Sequence, residues 1–164
     1  MANRDLPRAT RQSVRVVTFT PTIDALAVAT GDVVTDGIAT FAGMHVNSGG
    51  SGRITKVVIT DSAVQSIAGE LWLFTTSVTP AAKNAAHSIS DAHALDCIGV
   101  IPIAAADFKA SALNSVATIS VAANNLPFAY QCVDTTLYGI YVIRGTATYG
   151  TTTALQIMMF LTLD

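Results

Sequence analysis

Side chains that commonly perform chemistry are scarce in this sequence. It contains three histidines in 164 residues, and two of them, His87 and His93, lie close to Asp91 and Asp96. This group could offer two or three metal ligands, whereas a transition-metal site needs three or four ligands in a fixed geometry. Solvated loop side chains are therefore the favoured interpretation, and no metal ion or other cofactor is predicted.

Acid–base and nucleophilic candidates are equally weak. Glu70 is the only glutamate and begins a predicted strand, while most aspartates stand at turns, where they hydrogen-bond the local backbone. A nucleophilic cysteine needs a basic neighbour to lower its pKa, but Cys97 follows Asp96 and no base adjoins Cys132. The isolated His45 is expected to be half-buried or at an interface. Familiar enzyme motifs are also absent, so we predict no catalytic residue and no enzymatic activity.

The composition indicates a protein that is surrounded by partners. Hydrophobic residues make up 51% of the chain and charged residues only 12%, whereas an average soluble domain is about 25% charged. We therefore expect copies of the chain or other proteins to cover much of its surface. The net charge of -2 makes nucleic acid an improbable main partner.

The sequence also predicts a setting without membranes or disulfides. No apolar segment follows the basic N-terminus, so no secretory signal is expected. No apolar run is long enough to span a membrane, which takes about 18 residues. Cys97 and Cys132 stand in apolar surroundings, which favours free buried thiols in a protein made in the cytosol.

Short alternating and β-branched runs predict an all-β chain. Residues 79–94 are expected to form a loop with one helical turn, and residues 104–109 a short helix or a corner. This spacing favours a single β-sandwich domain with a jelly-roll-like fold and about eight to ten strands. The predicted strands are 14–19, 23–29, 38–46, 53–61, 70–75, 98–103, 116–122, 137–144 and 155–163.

Two local features refine this prediction. The run around Trp72 and Phe74 is apolar on both faces, so it belongs in the interior of a sheet or at an interface. We therefore predict Trp72 and Phe74 as interface residues. Pro102 is expected to mark a sheet edge or a strand end, because proline cannot donate a ladder hydrogen bond.

Residues 1–13 are predicted to form an extended basic arm outside the sandwich domain, which would span 14–164. Arg4, Arg8, Arg11 and Arg15 are four of the nine basic residues of the chain, and we predict them as partner-binding residues. Three interpretations stay open: a disordered tail, docking onto an acidic patch of a partner or sister subunit, and contact with nucleic acid. Fully stretched, such an arm could reach about 45 Å.

Several segments, taken in order, resemble a group of small structural proteins encoded by tailed bacteriophages. Together they cover about residues 14–164 and leave the arm outside. None is a catalytic motif, so the resemblance depends on their combination. The segments are SGGSGRITKVVITD at 48–61, LWLF at 71–74, IGVIPIAAADF at 98–108, LPF at 126–128 and LYGIYVIRGTATY at 137–149.

The resemblance implies a virion component, and most specifically a capsid decoration (cement) protein on the outside of the major capsid shell. Such proteins resemble one another in β-rich, often jelly-roll-like folds, and they often form trimers. The implied partners are the major capsid protein and the chain itself, and the implied location is the capsid surface after synthesis in the bacterial host cytoplasm. Alternatives are a tail, neck or head-fibre protein, and a carbohydrate-binding jelly-roll module.

Overall fold

A computed structural model describes residues 13–120 and 124–164 of the chain. It is almost entirely β, with 48% strand and 5% helix, and the all-β sandwich prediction is confirmed. In the described part of the chain, no helix is long and apolar enough to cross a membrane. The elements are β1 (Ser13–Phe19), β2 (Ala27–Val28), β3 (Ala39–Ala42), β4 (Ser51–Asp61), β5 (Gly69–Phe74), α1 (Asp91–Ala94), β6 (Cys97–Ile103), β7 (Phe108–Ala110), β8 (Ser115–Ile119), β9 (Phe128–Gln131), β10 (Thr136–Ile143), β11 (Ala147–Thr148) and β12 (Leu155–Leu163).

The longer strands form two antiparallel sheets. The large sheet has the order β1-β12-β4-β8-β7, and β9 pairs with β4 off this path. The small sheet has the order β3-β10-β5-β6, and β2 and β11 make a separate two-stranded ribbon. Pro102 lies in β6, at the edge of the small sheet, where its missing N–H costs no ladder hydrogen bond.

The eight principal strands of the two sheets pair in a nested way. The first and last pair with each other, as do the second and seventh, the third and sixth, and the fourth and fifth. These pairs are β1 with β12, β3 with β10, β4 with β8, and β5 with β6. Even the innermost pair is separated by residues 75–96, so the fold depends on contacts between distant segments.

The inward faces of the two sheets form the main core. In β12 every second residue is buried, from Leu155 to Leu163, as the two-residue period of a strand requires. Ile157 and Met159 of the large sheet share one cluster with Leu71 and Leu73 of the small sheet. Burying each such side chain contributes about 1.5–3 kcal/mol, so this layer holds the sandwich together.

The outer side of the small sheet is covered by residues 75–96, the segment between β5 and β6, which we call the strap. Its apolar side chains pack in a second cluster with Phe74, Ile140 and Val142. Backbone hydrogen bonds from Val33 N to Ala85 O and from Asn84 N to Val33 O, each 2.9 Å long, hold the strap in place. The apolar strap residues are Val78, Ala81 and Ile89.

The strap also contains the helical turn that was predicted in residues 79–94, which is α1. Ser90 precedes α1, and its hydroxyl oxygen accepts a hydrogen bond from His93 N at 3.2 Å. This is an N-cap, which satisfies one of the free N–H groups of the first turn. The alternative of a short helix in 104–109 also holds in part, since Ala105–Asp107 form a single 3₁₀ turn before β7.

Some predicted strand limits are wrong. Only Ala27–Val28 of the run 23–29 and only Ala39–Ala42 of the run 38–46 are in strands. Ile23 is buried but bonds to a loop, since its N–H donates to Thr152 O at 2.9 Å. Apolar residues in these runs therefore enter the core without a strand. The short strands β7, β9 and β11 were not predicted, because runs of two to four residues show too little alternation.

Candidate interaction surface

The structure describes one of the four arginines predicted to bind a partner. Arg15 lies within β1 and pairs with Leu161 of β12, so it belongs to the sandwich and not to an arm. Its guanidinium lies beside Gly43. Arg4, Arg8 and Arg11 lie outside the described residues, and their role stays a prediction.

Trp72 and Phe74 of β5 point to the outer side of the small sheet, beneath the strap. Phe74 is fully buried there. The Trp72 ring lies 4.7 Å from the ring of His87, centroid to centroid, and its Nε1–H donates to Glu70 Oε2 at 3.0 Å. The strap of the same chain covers the apolar face that prompted the interface prediction. A role of Trp72 and Phe74 in contacts with other molecules stays a prediction.

Glu70 is bound on two sides. Arg144 Nη2 donates to Glu70 Oε2 at 2.7 Å, and this bond, with the Trp72 bond, holds the pKa of Glu70 below its usual value against the effect of burial. The pair lines a cleft of about 460 Å³. A carboxylate engaged in this way is a poor general base, because its charge is already stabilised.

His87 belongs to the strap and lies against Trp72. Both ring nitrogens are buried and have no hydrogen-bond partner in the structure. Burial, and to a smaller extent the charge of Arg144, lowers the pKa of His87, while Glu70 acts in the opposite direction. Burial therefore favours the neutral form of the imidazole, whose ring lies against that of Trp72.

The other sequence candidates are dispersed. Within 13–120 and 124–164, no three His, Cys, Asp or Glu side chains come together as metal ligands. Asp96, one of the carboxylates near His93, instead accepts a hydrogen bond from the Thr76 hydroxyl at 2.7 Å. Cys132 is buried and Cys97 half-buried, and both are free thiols. Burial raises the pKa of Cys132 to about 11 and also raises that of Cys97.

His45 is buried, and its ring contacts the turn that precedes β4. Asn47 N donates to its Nδ1 at 3.0 Å, which stabilises the turn before β4. A Cβ placed on Gly50 would lie 1.8 Å from the same Nδ1. Only glycine fits there, which explains one glycine of the Gly-rich loop without any ligand.

A different surface emerges on the outer side of the large sheet. Successive rungs of the ladder place apolar side chains there, such as Val16 opposite Phe160 and Met158 opposite Val58. Val14 and Val16 are 71% and 48% exposed. We call this surface the outer apolar face, and its apolar members are Val14, Val16, Val58, Val116, Met158 and Phe160.

The charged groups in the strands of the outer apolar face are cations, and Asp164, exposed directly after β12 in the same alternation, adds one carboxylate at the Arg53 end. The Lys56 ammonium lies 3.7 Å from the centroid of the Phe160 ring, a favourable cation–π contact. Arg53 and Lys109 occupy exposed outward positions towards the two ends of the sheet. Asp61, the only carboxylate in the described strands of the large sheet, is buried.

Sequence reasoning did not find this surface, although its signal was present. Residues 156, 158, 160 and 162 alternate with fully buried neighbours in β12. Alternation shows which residues share a face. It does not show which face another segment covers, and both faces of β12 contain apolar residues.

No protein-family model matches the sequence, and no curated protein matches it. Among solved structures, the chain is similar to one described as Desmodium yellow mottle tymovirus, at 12% identity and a TM-score of 0.30, over 99% of this chain and 87% of that chain. It is also similar to a structure of the infectious bursal disease virus Gt strain, at 12% identity and a TM-score of 0.19, over 99% of this chain and 44% of that chain. Because both TM-scores lie below 0.5, these similarities support no conclusion about function.

Proposed function

We propose that this protein is a structural component of a virus particle, and more specifically a decoration protein on the outside of a tailed-bacteriophage capsid. On this proposal its partners are the major capsid protein and other copies of itself, most simply in a trimer. It is made in the host cytoplasm and resides on the capsid surface. It stabilises the shell by mass action, because it binds the assembled shell and not a loosened one.

The nested pairing of the eight principal strands is the observation that carries the proposal. A chain folded into one long hairpin and then rolled into two sheets, as in a jelly roll, would produce such a pairing. Jelly rolls build viral capsid and lectin domains. The strand order therefore supports a virion role, while the choice of the capsid exterior rests on the sequence resemblance.

The surface chemistry supports a protein that works within an assembly. Only 12% of the residues are charged, and the outer apolar face places six apolar side chains, two exposed and four half-buried, on one side of the large sheet. Exposed apolar patches of this kind mark sites of protein contact. A structural protein in a particle can bury such a patch against its neighbours.

Quantitative gel densitometry of purified virions tests the proposal. A decoration protein is expected at hundreds of copies per particle. A few to dozens of copies would overturn the decoration role and favour a tail, neck or head-fibre position. Absence of the protein from purified particles would overturn the virion role altogether.

A carbohydrate-binding module is the competing function from another class, because lectins share the jelly roll. Such a module needs exposed aromatic rings for the sugar to stack on. All eleven aromatic residues of the chain lie in the described part, and none of them is exposed. A glycan array is expected to give no hits, and specific binding to one glycan class would favour the competing function.

A further inference from the structure

The two broad sides of the sandwich differ in what covers them. The strap packs over the outer side of the small sheet and buries Phe74 and Ile140. No described residue covers the outer apolar face of the large sheet, where Val14 is 71% exposed. One broad side is thus closed by the chain itself, and the other is left uncovered by the residues that the structure describes.

The two sides also differ in charge. The outer apolar face carries the three cations Arg53, Lys56 and Lys109 against one carboxylate, Asp164, which directly follows β12, so its net charge is positive. Because the sheets pack through their inward faces, the strap lies on the opposite side of the molecule from these cations.

The strap side is acidic. Lys83 is the only lysine or arginine of the strap, and its Nζ lies 3.3 Å from an Asp24 oxygen and 3.5 Å from an Asp36 oxygen. Five aspartates against one lysine leave an excess of four negative charges. Leu95, at 88% exposure, adds an apolar contact point on this side. The aspartates on or directly beside the strap are Asp24, Asp32, Asp36, Asp91 and Asp96.

We propose that the outer apolar face of one copy docks against the acidic strap side of a second copy, so that copies associate head to tail. Opposite charges then meet across the contact, which favours the correct orientation and speeds association. A face-to-face pair would instead bring two sets of cations together. A head-to-tail contact also leaves one free face at each end, so it can propagate into a ring or an array.

The size of the surface limits the strength of a single contact. Four strands about 4.8 Å apart, over about seven residues of 3.3 Å each, give a face of roughly 450 Å². A stable specific interface buries about 800 Å² on each partner. We therefore expect weak association of two copies, which becomes strong when several contacts form at once.

Two variants test the two sides of the contact one at a time. Lys56→Glu reverses the central charge of the outer apolar face, and the pair Asp36→Lys with Asp91→Lys reverses two exposed charges of the strap side. Circular dichroism and thermal unfolding check that each variant is folded. Sedimentation velocity over a wide concentration range, at low and high salt, then measures self-association.

The wild-type protein is expected to associate as its concentration rises, less strongly at high salt. Each variant alone should raise the dissociation constant about tenfold or more. An equimolar mixture of the two variants should restore association, because the reversed face of one variant meets the reversed strap side of the other, and the two remaining sides are those of the wild type. If the strap variant alone associates like the wild type, the contact is not head to tail. A wild-type protein that stays monomeric up to millimolar concentration overturns self-docking and assigns the face to another protein.

The double substitution Thr151→Glu with Thr153→Glu is the matched control. It changes the net charge by the same two units as Lys56→Glu, at exposed positions of the loop before β12, and should associate like the wild type. The inference deepens the proposed function by naming one contact of the assembly. The proposed contact and the proposed function can fail independently, because sedimentation in solution tests the contact and the copy number in virions tests the function.

Discussion

At the scale of a single residue, the titration of His87 makes the stability of the protein depend on pH. Its two ring nitrogens are buried without partners, and burial lowers its pKa from the ordinary value of 6.5. Below pH 6.5 the unfolded chain therefore binds more protons at this site than the folded chain does. Stability is lost as the pH falls from about 6.5 towards and through the folded-state pKa.

We expect the substitution His87→Phe to remove this pH dependence. Phenylalanine keeps a ring against Trp72 but has no buried nitrogen to satisfy, so the free energy of unfolding should stay equal or rise by up to about 1 kcal/mol. Urea unfolding between pH 7.5 and pH 5 measures the effect, and the fluorescence of Trp72, the only tryptophan, reports on the same contact. His93→Gln is the control, and an equal flattening by that variant would contradict the assignment to His87.

Asp61 stabilises the loop between β4 and β5. It is buried, and its carboxylate accepts hydrogen bonds from the backbone N–H groups of Ala63, Gln65 and Ser66, at 2.8, 2.7 and 3.0 Å. Ser66 has a φ of 53°, an uncommon value for this residue type. The carboxylate holds the loop in a conformation that it would rarely adopt alone.

We expect Asp61→Ala to lower the free energy of unfolding by about 3 kcal/mol, because it leaves buried N–H donors without an acceptor. Asp134→Ala is a matched control, since Asp134 is exposed and accepts one bond, from Thr136 N; its cost should be about 0.5–1 kcal/mol. Chemical denaturation compares the two. Equal losses would show that burial of the Asp61 carboxylate is unimportant.

At the scale of elements, the strap is held differently from the sheets. The ladder between β4 and β12 runs from Leu155 to Leu163, whereas the strap has a few scattered backbone bonds and one small apolar cluster. Local opening costs least where buried contacts are few. We expect strap amides such as that of His87 to exchange faster than the amides of β12.

We expect Val78→Ala to weaken the strap specifically. Val78 is 3% exposed within the second cluster, so its truncation should cost about 1–2 kcal/mol and speed exchange mainly in residues 75–96. Hydrogen exchange followed by mass spectrometry measures this. Val46→Ala, at a valine that is 67% exposed, should change little, and uniformly faster exchange across both sheets in Val78→Ala would contradict an independent strap.

At the scale of the whole molecule, charge is divided unevenly along the chain. Residues 1–12 contain three arginines and one aspartate, a net charge of +2, so the rest of the chain carries -4 within a total of -2. An acidic body and a basic terminal segment are complementary between copies. This supports the proposal that the arginines contact a sister subunit or another acidic partner.

Deleting residues 1–12 is expected to leave the fold intact, with a change of less than about 0.5 kcal/mol in the free energy of unfolding, and to lower occupancy on capsids. Densitometry of particles loaded with each variant measures occupancy. A full-length variant with Arg4, Arg8 and Arg11 changed to Gln separates charge from length. Unchanged occupancy after the deletion would remove this segment from the binding mechanism.

The sequence by itself determined the fold class and the absence of familiar catalytic motifs. The runs that form β4, β5, β6, β10 and β12 were predicted within one or two residues, because their period of two and their β-branched residues depend only on local sequence. Short strands such as β9, and the loop segment that buries Ile23, were not predicted. Their conformation depends on partners far away in the chain.

Only the tertiary structure decided which faces of these strands are covered. Phe74 and Val16 both stand in strands with apolar residues on two sides, yet Phe74 is fully buried beneath the strap and Val16 is 48% exposed. The sequence also could not place Lys56 and Asp91 on opposite sides of one sandwich. Alternation assigns a residue to a face, but the packing of the sheets and of the strap determines whether that face meets core, solvent or another molecule.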